Sequence, residues 1–385
     1  NLTAAFSSRY EKLIIGYSYK TNYIPYLCNI IKDKGGYAEV VSRLEYDLAL
    51  RIGQDPKEII FNGPVKHYAD IETALDNQSI VNLDAWCEVG HVNEYARANP
   101  GKEIKVGIRI NINLSDRQGT SHIQAGLKVG RFGFSNKKED IEKLFACLTE
   151  NKNVTIHSLH GHTSSMDRSP WCYKVITETL CGIAARHLPD TIEYINIGGG
   201  MYGYIPPEFR WAETPTFDDY AQSITEVMNN NKWVKSKKPF LVIEPGTAMA
   251  ANVLSFVTKI ISVKSLRDKN FAIVDGSAFN TKPTFHKYNL PFELINKNRT
   301  DKEMTYDVAG STCMEKDYLL NDITTARPHE GDFIRIGNAG AYTVVFTPPF
   351  INVAPAVVAE DNGGYKLIRN RQKAEDIFKD YLFED

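Results

Sequence analysis

Residues able to do chemistry gather at the ends of apolar runs in this chain. Lys20 closes the run Leu13-Ile14-Ile15-Gly16-Tyr17-Ser18-Tyr19 and is followed by Thr21 and Asn22. Burial disfavours an ammonium, so an amine at the end of a buried strand can be an uncharged nucleophile able to form a Schiff base with a carbonyl. A strand-end lysine snorkelling to solvent is the plainer reading. Gly198-Gly199-Gly200 follow Tyr194-Ile195-Asn196-Ile197. Three glycines let backbone N–H groups close on an anion such as phosphate, and they also make a simple bend.

His160 and His162 stand two apart, so on a strand they share one face. That suits an imidazole lying against a flat ring. A zinc pair competes, but no acidic or cysteine partner sits nearby in sequence, and a satisfied core histidine is the third reading. Glu244 ends Leu241-Val242-Ile243 and precedes Pro245-Gly246. A carboxylate there is expensive to bury unless paired. Facing a heterocyclic nitrogen it keeps that nitrogen protonated; a salt bridge with Arg109 or Arg131 is the structural alternative.

The elements that must position these groups alternate. Strands are expected at Leu13–Lys20, Tyr37–Val41, Glu58–Asn62, Ile80–Asp84, Lys105–Ile112, Val154–Gly161, Ile192–Ile197 and Phe240–Glu244, from short apolar runs bounded by turn residues. Helical patterns fall between them at Pro25–Lys34, Arg43–Ile52, His67–Asp76, Cys87–Ala98, Lys138–Asn151, Tyr173–His187 and Phe217–Lys232, with Ser42, Asp84 and Ser135 as caps. About eight β-then-α units over roughly 245 residues is the arithmetic of an α/β (β/α)8 TIM-type barrel. An open doubly wound sheet has the same local pattern. Polar residues at successive strand ends, Asn62, Asp84, Arg109 and His160 among them, favour the barrel, whose strand ends all share one face.

After Ala251 the texture changes to strands without long helices: Val253–Val263, Phe271–Val274, Met304–Ala309, Asp332–Ile336, Thr343–Phe346 and Tyr365–Ile368, then a short amphipathic helix at Arg371–Leu382. The expected division is a barrel over residues 1–251 and a mainly β C-terminal domain over 252–385. The serine- and glycine-rich stretch Asn113–Leu127 reads either as a mobile loop over the site or as a plain surface loop.

Composition narrows the function classes. A net charge of −2 provides no electrostatic draw toward nucleic acid or an anionic membrane. Neither a long apolar span nor a secretory leader is visible. Six scattered cysteines fit free thiols in a reducing cytoplasm better than disulfides or a zinc site.

Taken in order, Tyr17-Ser18-Tyr19-Lys20-Thr21-Asn22, His160-Gly161-His162, Gly198–Gly200, Glu244-Pro245-Gly246, Cys313 with Asp317, and Gly340-Ala341-Tyr342-Thr343 resemble the fold-type III pyridoxal-phosphate decarboxylases. This is the group of diaminopimelate, ornithine and arginine decarboxylases, and the match runs over nearly the whole chain. The resemblance implies a cytoplasmic amino-acid decarboxylase with pyridoxal phosphate on Lys20 and no metal. His162 would stack on the ring, Ser165, Gly198, Gly199, Gly200 and Tyr342 would hold the phosphate with Gly246 beside them, and Glu244 would bind the ring nitrogen. It also implies a head-to-tail homodimer in which Cys313 of the other subunit returns a proton after carbon dioxide leaves. The family's C-terminal domain takes in an N-terminal strand that this chain begins too late to show.

Substrate positions depart from the family. Thr247 stands where relatives carry arginine, Met314 where an acidic residue follows the cysteine, and Lys282-Pro283 where diaminopimelate decarboxylases read Arg-Pro. With Asp317 and Tyr342, these residues would line the substrate. The departures lead to the expectation of a substrate other than meso-diaminopimelate, and Phe285-His286, standing where ornithine decarboxylases place an acidic residue, lead away from ornithine; an acylated, larger or carrier-linked substrate is expected. A racemase of the same fold and a cofactor-binding relative without turnover are the alternatives; Cys313 and the Glu-Pro-Gly segment favour decarboxylation.

Overall fold

Aliphatic and β-branched runs become parallel strands buried on both faces, as they must where helices cover the outside and side chains fill the inside. The computed structural model describes all residues except 117, 125, 126, 166, 210–212, 296–301, 362, 384 and 385. The chain divides into two units, Asn1–Gly203 with Ala212–Met249, and Tyr204–Trp211 with Ala250–Asp385.

The first unit runs α1 (Leu2–Ser7), β1 (Leu13–Ser18), α2 (Pro25–Asp33), β2 (Tyr37–Val40), α3 (Arg43–Arg51), β3 (Ile59–Phe61), α4 (Tyr68–Asp76), β4 (Ile80–Leu83), α5 (Trp86–Ala98) and β5 (Ile104–Asn111). A two-residue β6 (Phe134–Ser135) follows, then α6 (Lys138–Thr149), β7 (Val154–His160), α7 (Pro170–His187), β8 (Tyr194–Asn196), α8 (Phe217–Asn230), α9 (Lys232–Lys237) and β9 (Phe240–Ile243). The strand order β4-β3-β2-β1-β9-β8-β7-β5, with β4 pairing β5, closes an eight-stranded parallel barrel. The barrel rather than the open sheet is therefore what the alternation encodes. Closure sets Leu13 opposite Leu241 and Ile15 opposite Ile243.

Helix starts follow their local chemistry. Ser42 accepts the Glu45 N–H at 3.4 Å to cap α3, and Thr216 with Asp219 makes a reciprocal capping box on α8. Proline opens α2 and α7 at the first helical position. Asp84 and Ser135 do not cap as expected: Ala85 and Lys137 hold those positions, and the Asp84 carboxylate is drawn to Arg109 instead.

In the second unit, β10 (Phe256–Leu266), β11 (Lys269–Val274), β12 (Phe292–Ile295), β13 (Glu303–Ala309), β14 (Tyr318–Ala326) and β15 (Phe333–Ile336) form one sheet in the order β12-β15-β10-β11-β13-β14. A separate hairpin joins β16 (Val357–Asp361) to β17 (Gly364–Arg369). Ile260, Val274, Tyr306, Val308, Leu320 and Ile334 form the buried core of this unit. Strand β14 escapes the sequence pattern because Asn321-Asp322 reads as a turn. In the structure that pair sits at a bulge, with Asp322 at φ 48° and its N–H on the Asp307 carboxylate at 2.7 Å. Thr343–Phe346, expected as a strand, is a turn in which the Thr343 hydroxyl bonds the Ala339 carbonyl at 2.6 Å. The final helix is confined to Ala374–Phe378. Among the described residues no helix is long and apolar enough to cross a membrane.

One glycine shows how tightly the barrel interior is filled. A Cβ on Gly107 would lie 1.9 Å from Asn82 Oδ1 and 2.9 Å from Ser158 Cβ, whereas one on Gly101 meets nothing within 4 Å. Gly107→Ala is expected to lower stability by about 1–3 kcal/mol and Gly101→Ala by less than about 0.5 kcal/mol, read from urea unfolding midpoints.

Candidate active site

Strand register decides which polar side chains meet inside the barrel. Ser18 lies opposite Glu39, Asn82 opposite Gly107, and His160 opposite both Arg109 and Asn196. Lys20 itself sits just past β1, in the turn Tyr19–Thr21, half-buried. Its Nζ donates to Glu39 Oε2 at 2.6 Å, and the Ser18 hydroxyl bonds the same oxygen. The uncharged, desolvated amine expected from the apolar run is thus replaced by an ion pair with a buried carboxylate. Glu39, inside the run Tyr37–Val41, went unmarked by sequence reasoning; the one signal is the cost of burying a carboxylate in an apolar strand.

Asn62 links this pair to the second acid. Its Nδ2 donates to Glu39 Oε1 at 3.0 Å and to Glu244 Oε1 at 2.7 Å. Asn82 orients it by donating to Asn62 Oδ1 at 2.8 Å, and Ser158 donates to Asn82 at 3.1 Å. Asn196 adds a second donor to Glu244 Oε1 at 2.6 Å. All of these side chains are buried. Burial alone would raise the Glu244 carboxyl. The His160 imidazole, 3.5 Å from Oε2, and the Lys20 amine override it and hold Glu244 well below the usual carboxylate range. Glu244 is therefore ionised, and it pairs with neither Arg109 nor Arg131. Arg109 instead bonds Asp84 at 2.9 Å and the His162 carbonyl at 2.8 Å, fixing the loop that carries the second histidine.

Desolvation, followed by the charges of Arg109 and Lys20, pushes His162 well below the ordinary imidazole value. Its Nδ1 accepts the Gly199 N–H at 3.0 Å, so the ring is neutral with its hydrogen on Nε2. His160 lies 6.5 Å away, nearly parallel at 22°.

The triglycine segment acts first through its lack of side chains. A Cβ on Gly199 would lie 1.9 Å from the Glu244 carbonyl, and one on Gly198 would lie 2.5 Å from His162 Cβ. Gly198 and Gly200 adopt φ of 70° and 97°. The Gly198 N–H is taken by Asn196 Oδ1 and the Gly199 N–H by His162, so a three-amide phosphate nest is not what this loop offers. Among the described residues the Gly200 N–H has no acceptor. Gly246 is similarly constrained, since a Cβ there would lie 2.1 Å from Thr21 Oγ1. Thr247 opens the short helix Thr247–Ala250, and Ser165 is buried on the loop after β7, in a β-bridge with Ile123. That bridge staples the Asn113–Leu127 loop, whose residues 117, 125 and 126 lie outside the described residues.

The remaining sequence-marked residues belong to the second unit. Cys313 is an exposed free thiol. Asp317, expected to face substrate, is buried. Its Oδ1 accepts from Ala278 N at 2.7 Å and the Ser277 hydroxyl at 3.2 Å, its Oδ2 from Thr312 N at 3.0 Å and Oγ1 at 2.6 Å. With both oxygens used, Asp317 shapes the turn that displays Cys313 rather than meeting a ligand. Lys282 is buried, and desolvation lowers it to about 8. Tyr342 holds φ 59°, rare for a tyrosine, and its ring lies tilted at 34° to that of Phe346, centroids 5.6 Å apart.

These features fit a flat, phosphorylated heterocycle. Among the described residues the buried His160 ring nitrogens have no hydrogen-bond partner beyond the 3.5 Å approach of Nε2 to Glu244, which presents a negative charge beside them. An amine, a neutral imidazole face and a glycine-lined loop share that mouth.

The sequence model of the family described as pyridoxal-dependent decarboxylase, pyridoxal binding domain, matches residues 2–251. The chain belongs to this family. Members take pyridoxal phosphate, and this decarboxylase is an amino-acid carboxy-lyase, which sets the racemase alternative aside. It is 30% identical over 377 residues to the probable chloroplastic diaminopimelate decarboxylase of Oryza sativa subsp. japonica, covering 95% of this chain and 74% of that one. To the diaminopimelate decarboxylase of Aquifex aeolicus it is 27% identical, covering 98% and 88%. The crystal structure of Helicobacter pylori diaminopimelate decarboxylase with L-lysine superposes with a TM-score of 0.83 at 24% identity, covering 98% of this chain and 92% of that one. These likenesses run against the expectation that diaminopimelate is disfavoured: three substituted positions weighed too heavily there against resemblance along the whole chain.

Glu45 reports on the charge at Lys20 and Glu39. Its Oε2 accepts the Val41 N–H at 2.7 Å. Burial raises its carboxyl, the Val41 bond opposes this, and the Glu39 charge adds to the rise, which ends at about 7. A raised folded-state value contributes stability fully below the unfolded value of 4.5, and loses it as pH climbs through about 7. Glu45→Gln is thus expected to match the wild type near pH 4.5 and to exceed it by about 1–3 kcal/mol near pH 8, measured by urea denaturation across pH.

Proposed function

We propose that this decarboxylase removes the α-carboxylate of a diaminopimelate-type amino acid, a diamino acid bearing a second carboxylate at its far end. The single observation that carries the chemistry is the ionised, buried Glu244 tied through one amide to the Lys20–Glu39 pair. Pyridoxal phosphate, which Lys20 would hold, would supply an electron sink for the bond to the departing carboxylate.

The chain's residues prepare and steer that event. Glu39 holds the Lys20 amine in position through their 2.6 Å ion pair. Glu244 favours positive charge on the ring nitrogen, while Asn62 and Asn196 hold its oxygen still. The neutral His162 offers an aromatic face, and Ser165 with the Gly200 N–H and Gly246 hold the phosphate. Cys313 carries the proton that returns to the α-carbon, supplied by a second copy of the chain in a homodimer.

The substrate assignment rests on the relatives' names and on Lys282. A buried ammonium at that position suits a distal carboxylate, the role the family gives to arginine. Thr247 and Met314 lie at the other two departures and leave this cation with more of the recognition.

The holoenzyme is expected to release carbon dioxide from meso-diaminopimelate faster than from ornithine, lysine or arginine, and borohydride is expected to fix the cofactor on Lys20. Release from ornithine or arginine but not from meso-diaminopimelate overturns the substrate. Because Lys282 titrates near 8, KM for meso-diaminopimelate is expected to climb above about pH 8. Lys282→Met is expected to raise KM at least about tenfold at neutral pH and to flatten that climb.

A further inference from the structure

Two loops at the mouth of the barrel meet in a cluster that the decarboxylation chemistry leaves unused. The loop after β5 brings His122, and the loop after β7 with the first turn of α7 brings Asp167 and Cys172. Among the described residues these three are the group of histidine, cysteine and carboxylate donors close enough to share a cation, all within 4.8 Å of one another. His122 Nδ1 lies 3.3 Å from Asp167 Oδ2, and Cys172 Sγ lies 3.7 Å from Asp167 Oδ1. Donors around tetrahedral zinc stand about 3.3–3.8 Å apart, given metal–ligand bonds of roughly 2.0–2.3 Å.

The surroundings have the layout of a metal site's outer shell. The far nitrogen of His122, Nε2, faces Asp116 Oδ2 at 3.5 Å. Asp116 is itself held by the N–H groups of Gln118 at 2.9 Å and Thr120 at 2.8 Å. A carboxylate behind a ligating histidine fixes its ring and raises its basicity. The Trp171 ring, 4.9 Å from His122, shields one side, and the Cys172 side chain is buried while Asp167 reaches solvent. Sequence gave no sign of this set, because His122 and Asp167 are far apart in the chain and only the β5–β7 pairing brings their loops together.

We propose that His122 Nδ1, Asp167 and Cys172 Sγ bind a zinc-class divalent cation, with water as fourth ligand and Asp116 as the outer carboxylate. The mixed nitrogen, oxygen and sulfur set selects a borderline-soft metal over magnesium or calcium. On binding, the Cys172 S–H bond breaks, its proton passes to solvent, and the sulfur's electron pair goes to the metal without any change of oxidation state. The ion cross-links the loop carrying His122 to the loop carrying Ser165, reinforcing the Ile123–Ser165 bridge. The competing arrangement is a His122 ring hydrogen-bonded between the Asp116 and Asp167 carboxylates, which takes up no metal.

Holoenzyme loaded with zinc chloride, dialysed and analysed by plasma mass spectrometry is expected to retain about one zinc per chain, with most of it lost in His122→Ala and Cys172→Ser. Cobalt(II) in place of zinc is expected to give a thiolate-to-cobalt charge-transfer band, read as a difference against cobalt-free holoenzyme so that cofactor absorption cancels. Asp116→Asn is expected to keep that band but weaken zinc binding about 10–100-fold. No zinc retention, equal retention in all variants, or a cobalt complex lacking the thiolate band overturns the proposal. The wild-type cobalt spectrum decides it even where a variant fails to fold.

Discussion

One carboxamide lies between two carboxylates at the centre of the barrel mouth, and the arrangement of the site follows from it. Asn62 spends both hydrogens of its Nδ2 on acids, one on Glu39 and one on Glu244. Two buried anions repel, and removing either from water is costly unless donors replace the lost hydration. The amide supplies those donors and holds the acids at a fixed separation. Lys20 balances Glu39, leaving Glu244 as a directed negative charge. A cation is what such a charge accommodates, and its placement depends on the geometry of a single asparagine.

The surrounding residues guard that bridge. Asn82 and Ser158 relay orientation to it across the barrel, and Gly107 leaves the space in which Asn82 sits. On the loop side, Arg109 fixes the His162 backbone from one direction while the Gly199 N–H fixes its ring from another. Neutrality of His162 and ionisation of Glu244 are thus set by burial and partners already present in the polypeptide. Similar logic acts on a smaller scale around Asp317, whose four donors define the Cys313 turn.

Much of the barrel was legible because its strands are buried on both faces and appear as short apolar runs; β1, β4 and β7 fall within a residue or two of expectation. Lys20, His162 and Glu244 stood out for a related reason, being polar residues where apolar runs stop. Glu39, Asn82, Ser158 and Asn196 did not, because their meaning depends on register: each is an ordinary polar residue until a strand remote in sequence places its partner opposite. The β14 bulge and the Thr343 turn failed in opposite ways. In one, turn-forming residues were absorbed by a sheet; in the other, β-branched residues were bonded into a turn. The substrate inference failed by treating a few side chains as decisive.

The seam between β1 and β9 bears on how the protein is made. A ribosome delivers Lys20, Glu39 and Asn62 long before Glu244, and the last strand docks only when Leu241–Ile243 find Leu13–Ile15. Until that moment Asn62 and Asn196 lack their shared acceptor and face water. The nascent chain consequently cannot assemble this hydrogen-bonded centre piecemeal. Synthesis must proceed beyond residue 244 before the Glu39–Asn62–Glu244 bridge exists, so the bridge forms only together with barrel closure.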